Sequence, residues 1–291
     1  MKKLAFLCDS SIALDPNEAI KKDIYIAPLT ITHDHQSFAD QIEISGEDVA
    51  SLLRENKVVG TSQPNIGVII EILEDIKAKD YDHLFILPVT THLSGTYNAF
   101  RQALLEVEMD NVSLINTYTI AGPVQESIHL IRRMNEQNYT IDEIEDYLVE
   151  TFFKQTESYL YPDNLDQLKA GGRISKAAAT LASMLKVSIL LKLENEGERI
   201  EKFAVSRTER KLFSQLIDDF KEHGVHPSTH KLYIPHLESE GKARVLLAAL
   251  RKAYGQDFEA ELIDLPAALA VHAGIGTLAL QWCLDANHIF L

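Results

Sequence analysis

The sequence predicts an α/β protein with two domains: a parallel sheet flanked by helices in the N-terminal domain, and a mixed sheet in a C-terminal α/β domain. Over residues 4–153, short apolar runs typical of buried strands alternate with helical patterns, as they do in right-handed βαβ units. Further on, two apolar runs flank the polar turn 194–198, which indicates a hairpin and therefore antiparallel pairing. A chain of 291 residues has room for about two domains. We predict them as residues 1–155 and 156–291.

The strands of the N-terminal domain are predicted from short apolar runs. The first, 4–8, is continuously apolar, as expected of a strand that is buried on both faces of a parallel sheet. Further apolar runs lie at 24–26, 29–31, 58–59, 83–89 and 112–116.

The helices of this domain are predicted from capping residues and from a period of 3.6. Asp15 precedes a proline and is a good N-cap. Ser45 with Asp48, and Thr140 with Glu143, have the spacing of capping boxes; the second box opens a helix to about residue 153. Apolar residues of helical period lie at 66–76, 95–107 and 124–135.

The C-terminal domain contains shorter strands and fewer regular alternations. Strands are predicted at 157–161, 188–192, 200–205, 232–234 and 268–271, and helices at 208–223 and 241–254. After the strand 268–271, the glycines of Gly274-Ile275-Gly276 predict a strand-to-helix turn, in which a helix N-terminus presents N–H groups beside His272. The alternative is tight packing that only glycine permits.

Composition excludes several classes of function. The chain has 28 Lys and Arg against 43 Asp and Glu, a net charge of −15, and lacks a strong basic patch, so we expect neither nucleic-acid binding nor stable membrane association. Its apolar runs are too short for a membrane span. Cys8 and Cys283 lie among apolar neighbours, as buried thiols of a reducing compartment do. We expect a cytoplasmic protein.

No cofactor or metal site is expected. The densest group of metal-ligand side chains is His33-Asp34-His35, but it lies in a polar stretch that is typical of an exposed hairpin tip. A phosphate-binding loop of the G-x-x-x-x-G-K-[ST] type is absent from the sequence. Gly274 to Ala279 matches half of a dinucleotide fingerprint, but only 15 residues follow Gly276, too few for the rest of the βαβ unit.

Clusters of hydroxyl, glycine and charged residues recur where strands are predicted to end. They are Asp9-Ser10-Ser11, Thr61-Ser62-Gln63-Pro64, Leu93-Ser94-Gly95-Thr96-Tyr97, Gly171-Gly172-Arg173 and His272-Ala273-Gly274-Ile275-Gly276. In open α/β sheets the ligand lies beyond the carboxyl ends of the strands. Hydroxyls and unobstructed N–H groups suit a small anionic group. The sequence therefore favours a binding site.

Each of these residues also has a structural alternative. Thr61, Ser62 and Ser94 precede predicted helices and are possible N-caps. Ser10 lies beside an aspartate that would repel an anion, and Arg173 is a candidate for surface ion pairs.

Two other classes of function remain open from the residues. Ser94 and His272, with Asp9, are the candidates for a serine hydrolase that acts on acyl esters, although His92-Leu93-Ser94-Gly95 lacks the first glycine of a nucleophile elbow. A purely structural or regulatory module would bind no ligand.

Taken together, the five clusters resemble the motifs of the DegV family of bacterial fatty-acid-binding proteins, over essentially the whole chain. They match D-S-[ST], T-S-Q-P, L-S-G-T-Y, G-G-R-[IL] and H-x-G-x-G in this order. The chain departs from the family at Asn65-Ile66-Gly67, where S-P-G is usual, and at Ile275, where proline is usual. Neither departure removes a hydroxyl, the histidine or a glycine of the motifs.

The resemblance implies a lipid carrier without catalytic residues of its own. It implies one buried long-chain fatty acid such as palmitate, with the carboxylate at the domain interface and the tail in the C-terminal domain. Thr61 and Ser94 would bind the carboxylate, with Ser62, His272 and Arg173 around them. Secondary positions are Ser10, Gly95, Thr96, Arg207 and Gly274, with Arg207 near the pocket mouth.

Two further expectations concern the partner and the tail. The resemblance implies that a separate ATP-dependent fatty acid kinase converts the bound acid to an acyl phosphate. Candidates for contact with the tail, each with an ordinary core position as the alternative, are Leu160, Leu165, Leu168, Leu181, Met184, Leu185, Ile189 and Leu190.

Overall fold

The computed structural model describes residues 1–180, 187–194, 197–255, 258 and 260–288. In residues 1–155 the strands are β1 (Leu4–Asp9), β2 (Ile24–Ala27), β3 (Thr30–His33), β4 (Gln36–Ala39), β5 (Val59–Ser62), β6 (His83–Ile86) and β7 (Val112–Leu114). The helices there are α1 (Pro16–Ile20), α2 (Gly46–Arg54), α3 (Ile66–Lys77), α4 (Thr96–Val107), α5 (Gly122–Glu136) and α6 (Ile141–Tyr147). The chain continues beyond α6 as a π turn and a 3-10 turn, to Gln155.

The remaining elements lie between residues 156 and 284. The strands are β8 (Thr156–Tyr161), β9 (Ser188–Glu194), β10 (Arg199–Ser206), β11 (His230–His236), β12 (Ala260–Asp264) and β13 (Leu278–Leu284). The helices are α7 (Asp166–Ala170), α8 (Lys176–Thr180), α9 (Glu209–Glu222), α10 (Glu240–Tyr254) and α11 (Ala267–Ala273).

The predicted fold class is confirmed. Within the described residues, β2-β1-β6-β7 form a four-stranded parallel sheet. The order β10-β9-β8-β13-β11-β12 forms a six-stranded mixed sheet in which only β11 and β12 run parallel. The strands of the first sheet precede residue 155 and those of the mixed sheet follow it; the domain division itself stays a prediction.

The local capping predictions are confirmed. Asp15 accepts hydrogen bonds from the first turn of α1, and both capping boxes form. The group His33-Asp34-His35 lies at the tip of the β3–β4 hairpin, as predicted. These features depend on neighbouring residues alone, which is why the sequence identifies them.

A third sheet, β4-β3-β5, was not predicted as such. Antiparallel pairing places β5 against β3, with Thr61 opposite Ile31. This pairing fixes the orientation of Thr61, because neighbouring residues of a strand point to opposite faces.

The prediction for residues 268–276 was wrong. Residues 268–271 lie in the helix α11, and the glycine segment connects this helix to the strand β13. Gly274, with φ of 80°, is the C-cap of α11, and its N–H donates to the carbonyl of Ala270. The run Ala267–Ala273 is rich in alanine and follows a proline, which favours a helix, and glycine is the usual residue just past a helix end. The prediction of a strand gave more weight to the dinucleotide-like glycine pattern than to these local helix preferences.

Helix α11 packs against residues of the first 155 positions. Its buried face shares a hydrophobic cluster with Ile31, Val49 and Ala50. A Cβ on Gly46, the first residue of α2, would lie 2.1 Å from the carbonyl oxygen of Leu265, so only glycine allows α2 to approach this closely. The two halves of the chain are therefore tightly joined at α11.

Buried hydrogen bonds also cross between the halves. The Tyr233 hydroxyl donates to Glu126 Oε2 at 2.6 Å, and the Ala286 N–H donates to Glu126 Oε1 at 2.8 Å. Gln281 Nε2 donates to the carbonyl of Ile120 at 2.9 Å, and Gln281 Oε1 accepts from the N–H of Gly122. These bonds satisfy polar groups that burial would otherwise leave unpaired.

Two absences can be stated for the part of the chain that the structure describes. None of its helices combines the length and apolarity that crossing a bilayer requires. No three His, Cys, Asp or Glu side chains there converge as a metal site would require. Cys8 and Cys283 are free and buried.

Asp40 is expected to make the free energy of unfolding depend on pH. Its side chain is fully buried and accepts a 2.6 Å hydrogen bond from the Ser10 hydroxyl; burial raises the pKa of Asp40 to about 7. Since this pKa lies above the usual 3.8, the contribution of Asp40 to stability is complete below about pH 4 and is lost as the pH rises through 7. We expect Asp40→Asn to make the decrease in unfolding free energy between pH 4 and pH 8 smaller, as measured by urea titration at each pH. An unchanged decrease would contradict this.

Candidate functional site

A cavity lies between the carboxyl edge of the parallel sheet and the inner face of the mixed sheet. It contains about 1100 Å³ of empty space, including its opening to solvent. Most of its wall is apolar and comes from both halves of the chain, for example Leu29 and Val89 from one, and Leu160, Leu265 and Leu269 from the other. A cavity of this size and polarity is typical of a site for a small, largely apolar ligand.

Polar side chains gather in one part of this wall. They include Thr61, Ser62, Ser94, Arg173 and His272, the five residues predicted as the primary site. Four separate segments supply them: β5, the loop before α4, the loop after α7, and α11. The structure therefore brings together side chains that are up to 211 positions apart in sequence.

Thr61 and His272 are directly joined. Thr61 Oγ1 lies 2.7 Å from His272 Nε2, while His272 Nδ1 is buried without a partner. A buried N–H without an acceptor is rare and costly, so the proton of the neutral ring belongs on Nε2. In this tautomer the ring donates to Thr61 Oγ1 and leaves the Thr61 hydroxyl proton free to donate elsewhere.

His272 is neutral at physiological pH. Burial, with a smaller effect of the nearby Arg173 cation, lowers the pKa of His272 to about 4. The ring therefore orients Thr61 as a hydrogen-bond donor and brings no positive charge of its own.

Gly171 permits the ring to occupy this position. A Cβ on Gly171 would lie 2.5 Å from His272 Nδ1, closer than van der Waals contact allows. The first glycine of the Gly171-Gly172-Arg173 segment is thus required by the packing of His272. The second, Gly172, has a φ of 67°, a conformation that glycine adopts without strain.

Ser94 lies at the start of α4. Its hydroxyl is 2.7 Å from that of Thr96, and the N-cap of α4 is Gly95, which provides no side-chain cap. Likewise, the N-cap of α3 is Asn65 and not Thr61 or Ser62. The N-cap alternative is therefore wrong for Thr61 and Ser62, whereas Ser94 Oγ does accept from the N–H of Thr96, the first residue of α4, at 3.3 Å.

Arg173 is half-buried and points into the site. Its Nε donates to the carbonyl of Leu93 at 3.4 Å, and its Nη1 donates to the carbonyl of Gly171. Among the described residues no carboxylate forms an ion pair with Arg173, so the surface-pairing alternative is not supported. An unpaired guanidinium at the rim of an apolar cavity attracts an anion.

The five secondary site residues predicted from the sequence fall into two groups. Gly95 lines the cavity, whereas Ser10, Thr96, Arg207 and Gly274 do not. Ser10 bonds to Asp40, Thr96 supports Ser94, Gly274 ends α11, and Arg207 is exposed after β10. We therefore do not retain Arg207 at the mouth of this cavity, nor a helix N-terminus at Gly274.

The hydrolase arrangement is not assembled. His272 Nε2 bonds to Thr61, while Ser94 Oγ bonds to Thr96, so the proposed nucleophile and base do not contact each other. Asp9 Oδ1 and Oδ2 accept from the N–H groups of Ser11 and Val89. A catalytic triad requires a base that contacts the nucleophile and an acid that contacts the base, and neither contact is present.

The residues predicted to contact the acyl tail also differ in where the structure places them. Leu160 and Leu168 line the cavity, whereas Leu165, Ile189 and Leu190 are buried in the core beside it. Leu181, Met184 and Leu185 lie outside the described residues.

Sequence reasoning missed several lining residues. Gln63 contributes at the polar end, and Ser158 and Gln281 line the wall on β8 and β13. A glutamine inside the apolar run Leu278–Leu284 was a usable signal, because a buried polar side chain requires a partner.

Comparisons with known proteins cover nearly the whole chain. A family model described as "Uncharacterised protein, DegV family" matches residues 3–285. A relative from Thermotoga maritima named "Fatty acid-binding protein" is 29% identical over 283 residues, 95% of this chain and 96% of the relative. A solved DegV lipid binding protein from Thermotoga maritima has a TM-score of 0.83 at 26% identity, covering 97% of this chain and 98% of its own. A DegV family protein from Eubacterium eligens, solved loaded with heptadecanoic acid, has a TM-score of 0.82 at 23% identity, with 97% and 99% covered.

Gly171→Ala tests the packing of the site. We expect the new methyl group to displace the His272 ring, break its bond to Thr61 and destabilise the fold by about 1–3 kcal/mol, measured by urea unfolding. Gly241→Ala, in α10 with no atom near its Cβ position, is the control and should be neutral or slightly stabilising. Equal effects of the two substitutions would contradict the close approach.

Proposed function

The chain belongs to the DegV family, and from this membership and the geometry of the cavity we propose that it binds one long-chain fatty acid and presents it to a separate ATP-dependent kinase. The observation that carries the proposal is the division of one cavity into a polar end and an apolar remainder. A fatty acid has the same division: one anionic group and a long hydrocarbon chain.

The tail provides most of the binding free energy. Each buried methylene contributes about 0.8 kcal/mol, so roughly 14 methylenes contribute on the order of 11 kcal/mol before ordering costs. Those costs include the lost freedom of the ligand. The residues at the polar end therefore need mainly to offset the desolvation of the carboxylate, which costs several kcal/mol when it is unpaired.

The polar end contains donors suited to this task. Thr61, oriented by His272 Nε2–H at 2.7 Å, donates its hydroxyl proton to one carboxylate oxygen. Ser94 donates to the carboxylate as well, with Thr96 as its support at 2.7 Å. Arg173 provides the positive charge, and Ser62 and the N–H of Gly95 complete the polar surroundings. The half-buried Arg173 makes this end electrostatically complementary to an anion, in a chain whose net charge is −15.

The same arrangement suits transfer to a partner. Ser62 and Gly95 are exposed at the rim of the cavity, so a carboxylate held by Thr61 and Ser94 lies close to the surface. Neutral hydroxyls hold a carboxylate less tightly than a bidentate arginine does. We therefore place the phosphoryl-transfer step on the kinase: there an oxygen of the presented carboxylate attacks the γ-phosphorus of ATP, and ADP leaves. We assign no catalytic residue to this chain.

Substitutions at the polar end test ligand binding. We expect Thr61→Val and Ser94→Ala each to weaken palmitate binding about tenfold, because each removes a hydrogen bond to a charged group. The measurement is the Kd for palmitate of delipidated protein, with lipid extraction and mass spectrometry of the purified wild type in parallel. Ser51→Ala, on the exposed face of α2, is the control. Unchanged affinity in both site variants would contradict the assigned head-group contacts.

Reconstitution tests presentation to a kinase. With an ATP-dependent fatty acid kinase, ATP and palmitate, we expect the loaded chain to be required for acyl phosphate, trapped with hydroxylamine as the hydroxamate. The Thr61→Val, Ser94→Ala double variant should lower the yield because it holds less acid. Hydroxamate formed by this chain and ATP alone, or equal turnover of free palmitate without it, would contradict the proposal.

A further inference from the structure

A second, polar cavity lies directly behind the apolar one. It contains about 930 Å³ of empty space, including its opening to solvent. Ser158 and Leu193 line both cavities. The two spaces are therefore separated by a partition only one side chain thick, next to the loop 118–121, whose residues Tyr118 and Thr119 face the polar cavity and Ile120 and Ala121 the apolar one.

The polar cavity exists because two strands of the mixed sheet separate. In the described residues, β8 and β9 pair only at Tyr159 with Lys192 and at Leu160 with Leu191. Beyond these pairs β8 remains bound to β13 as far as Thr156, and β9 remains bound to β10 as far as Glu194. Each strand keeps its outer neighbour while the space between them opens. We call this space the β8–β9 gap.

The partition lies far from the proposed carboxylate site. Thr277 Oγ1 bonds to the carbonyl of Ala273, next to His272. Gln281, which donates to Ser158 Oγ at 2.8 Å, follows four positions later along β13. At the rise of an extended strand this corresponds to about 13 Å. Ser158 and the gap therefore lie within reach of the far end of an acyl chain whose carboxylate is held near His272.

Two hydroxyls at the partition have unused hydrogen-bonding capacity. Thr119 is 3% exposed, lines the gap, and its Oγ1 has no partner. Ser158 Oγ accepts from Gln281, and no acceptor for its own proton lies among the described residues. A buried hydroxyl without a partner costs free energy that a ligand atom can recover.

The charges of the gap do not favour an anionic or cationic ligand. Lys192 Nζ lies 3.4 Å from Glu157 Oε1 and 3.5 Å from Asp219 Oδ2, and its charge also lies over the ring of Tyr159. Lys154 and Glu194 add one charge of each sign at the edge. The residues that line the gap thus include two lysines and two glutamates, and Asp219, the third carboxylate, is not among them, so neutral hydrogen-bonding groups are the best match.

We propose that the β8–β9 gap is a subsite for a hydroxyl group at the far end of the acyl chain, received by Thr119 and Ser158. This inference rests on the proposed fatty-acid function and specifies its ligand class. A methyl end that reached the gap would leave the free capacity of Thr119 and Ser158 unused and would remove water from the Lys192 pair without replacing its hydrogen bonds. A hydroxyl end both donates and accepts there. The gap therefore limits the length of unsubstituted acids and admits hydroxylated ones.

Paired ligands test the subsite. For each chain length from lauric to stearic, the Kd of the ω-hydroxy acid and the Kd of the unsubstituted acid are measured. The ratio of these two Kd values shows which acid of the pair binds more tightly. In the wild type we expect the hydroxylated acid to bind at least as tightly at the one chain length that reaches the gap, and more weakly at shorter lengths, where its hydroxyl stays in the apolar cavity. A hydroxyl that weakens binding at every length would overturn the subsite.

Matched substitutions locate the contact. At the favoured length we expect Thr119→Val, and separately Ser158→Ala, to shift the ratio about tenfold against the hydroxylated acid. Ser127→Ala, a buried serine of α5 whose hydroxyl is bonded to the carbonyl of Val124 and which lines neither cavity, is the control and should leave the ratio unchanged. An equal shift in Ser127→Ala, or none in the two test variants, would overturn the assignment. Failure of the wild type to bind any acid would overturn the proposed function as well, whereas bound palmitate with an unfavourable ratio throughout would overturn the subsite alone.

Discussion

The hydrogen bond between Thr61 and His272 is the interaction on which the site depends. It joins β5, in the three-stranded sheet of the first half, to α11, in the second half, over 2.7 Å. Burial keeps His272 uncharged, so the bond joins two neutral groups. The imidazole ring therefore adds no positive charge to the site. The bond occupies one side of Thr61 Oγ1 and so directs the Thr61 hydroxyl proton elsewhere. Since Thr61 and His272 come from different halves of the chain, both halves form the polar end of the cavity.

Close backbone approach makes this bond possible. Gly171 leaves room for the imidazole ring, and Gly46 allows α2 to press against the carbonyl of Leu265, just before α11. Side chains at either glycine would push α11 away from its neighbours, and His272 would move with it. Packing density in protein interiors leaves little room for such shifts. Gly46 and Gly171 thus act by permitting close contacts.

The cavity is a departure from ordinary core packing. Apolar side chains that surround empty space forgo dispersion contacts, and a protein without a ligand for that space would gain by filling it. Here the neighbouring clusters are well filled, with Leu191 and Ile31 fully buried, while the space between them is kept open. An acyl tail restores the missing contacts, so the free energy of binding includes part of the packing that the fold omits.

The sequence by itself determined the α/β class, the parallel and mixed sheets, both capping boxes and the five segments around the site, because these follow from periodicity and from neighbouring residues. It did not determine that residues 268–271 form a helix, since a glycine pattern known from another fold outweighed the local alanine propensity. Only the tertiary structure decided that Thr61 pairs with His272, that Ser94 pairs with Thr96 and not with the histidine, and that Arg207 is exposed after β10. The separation of β8 from β9 was likewise decided only by the tertiary structure. Contacts between residues far apart in the chain depend on how whole elements pack, and no local pattern contains that information.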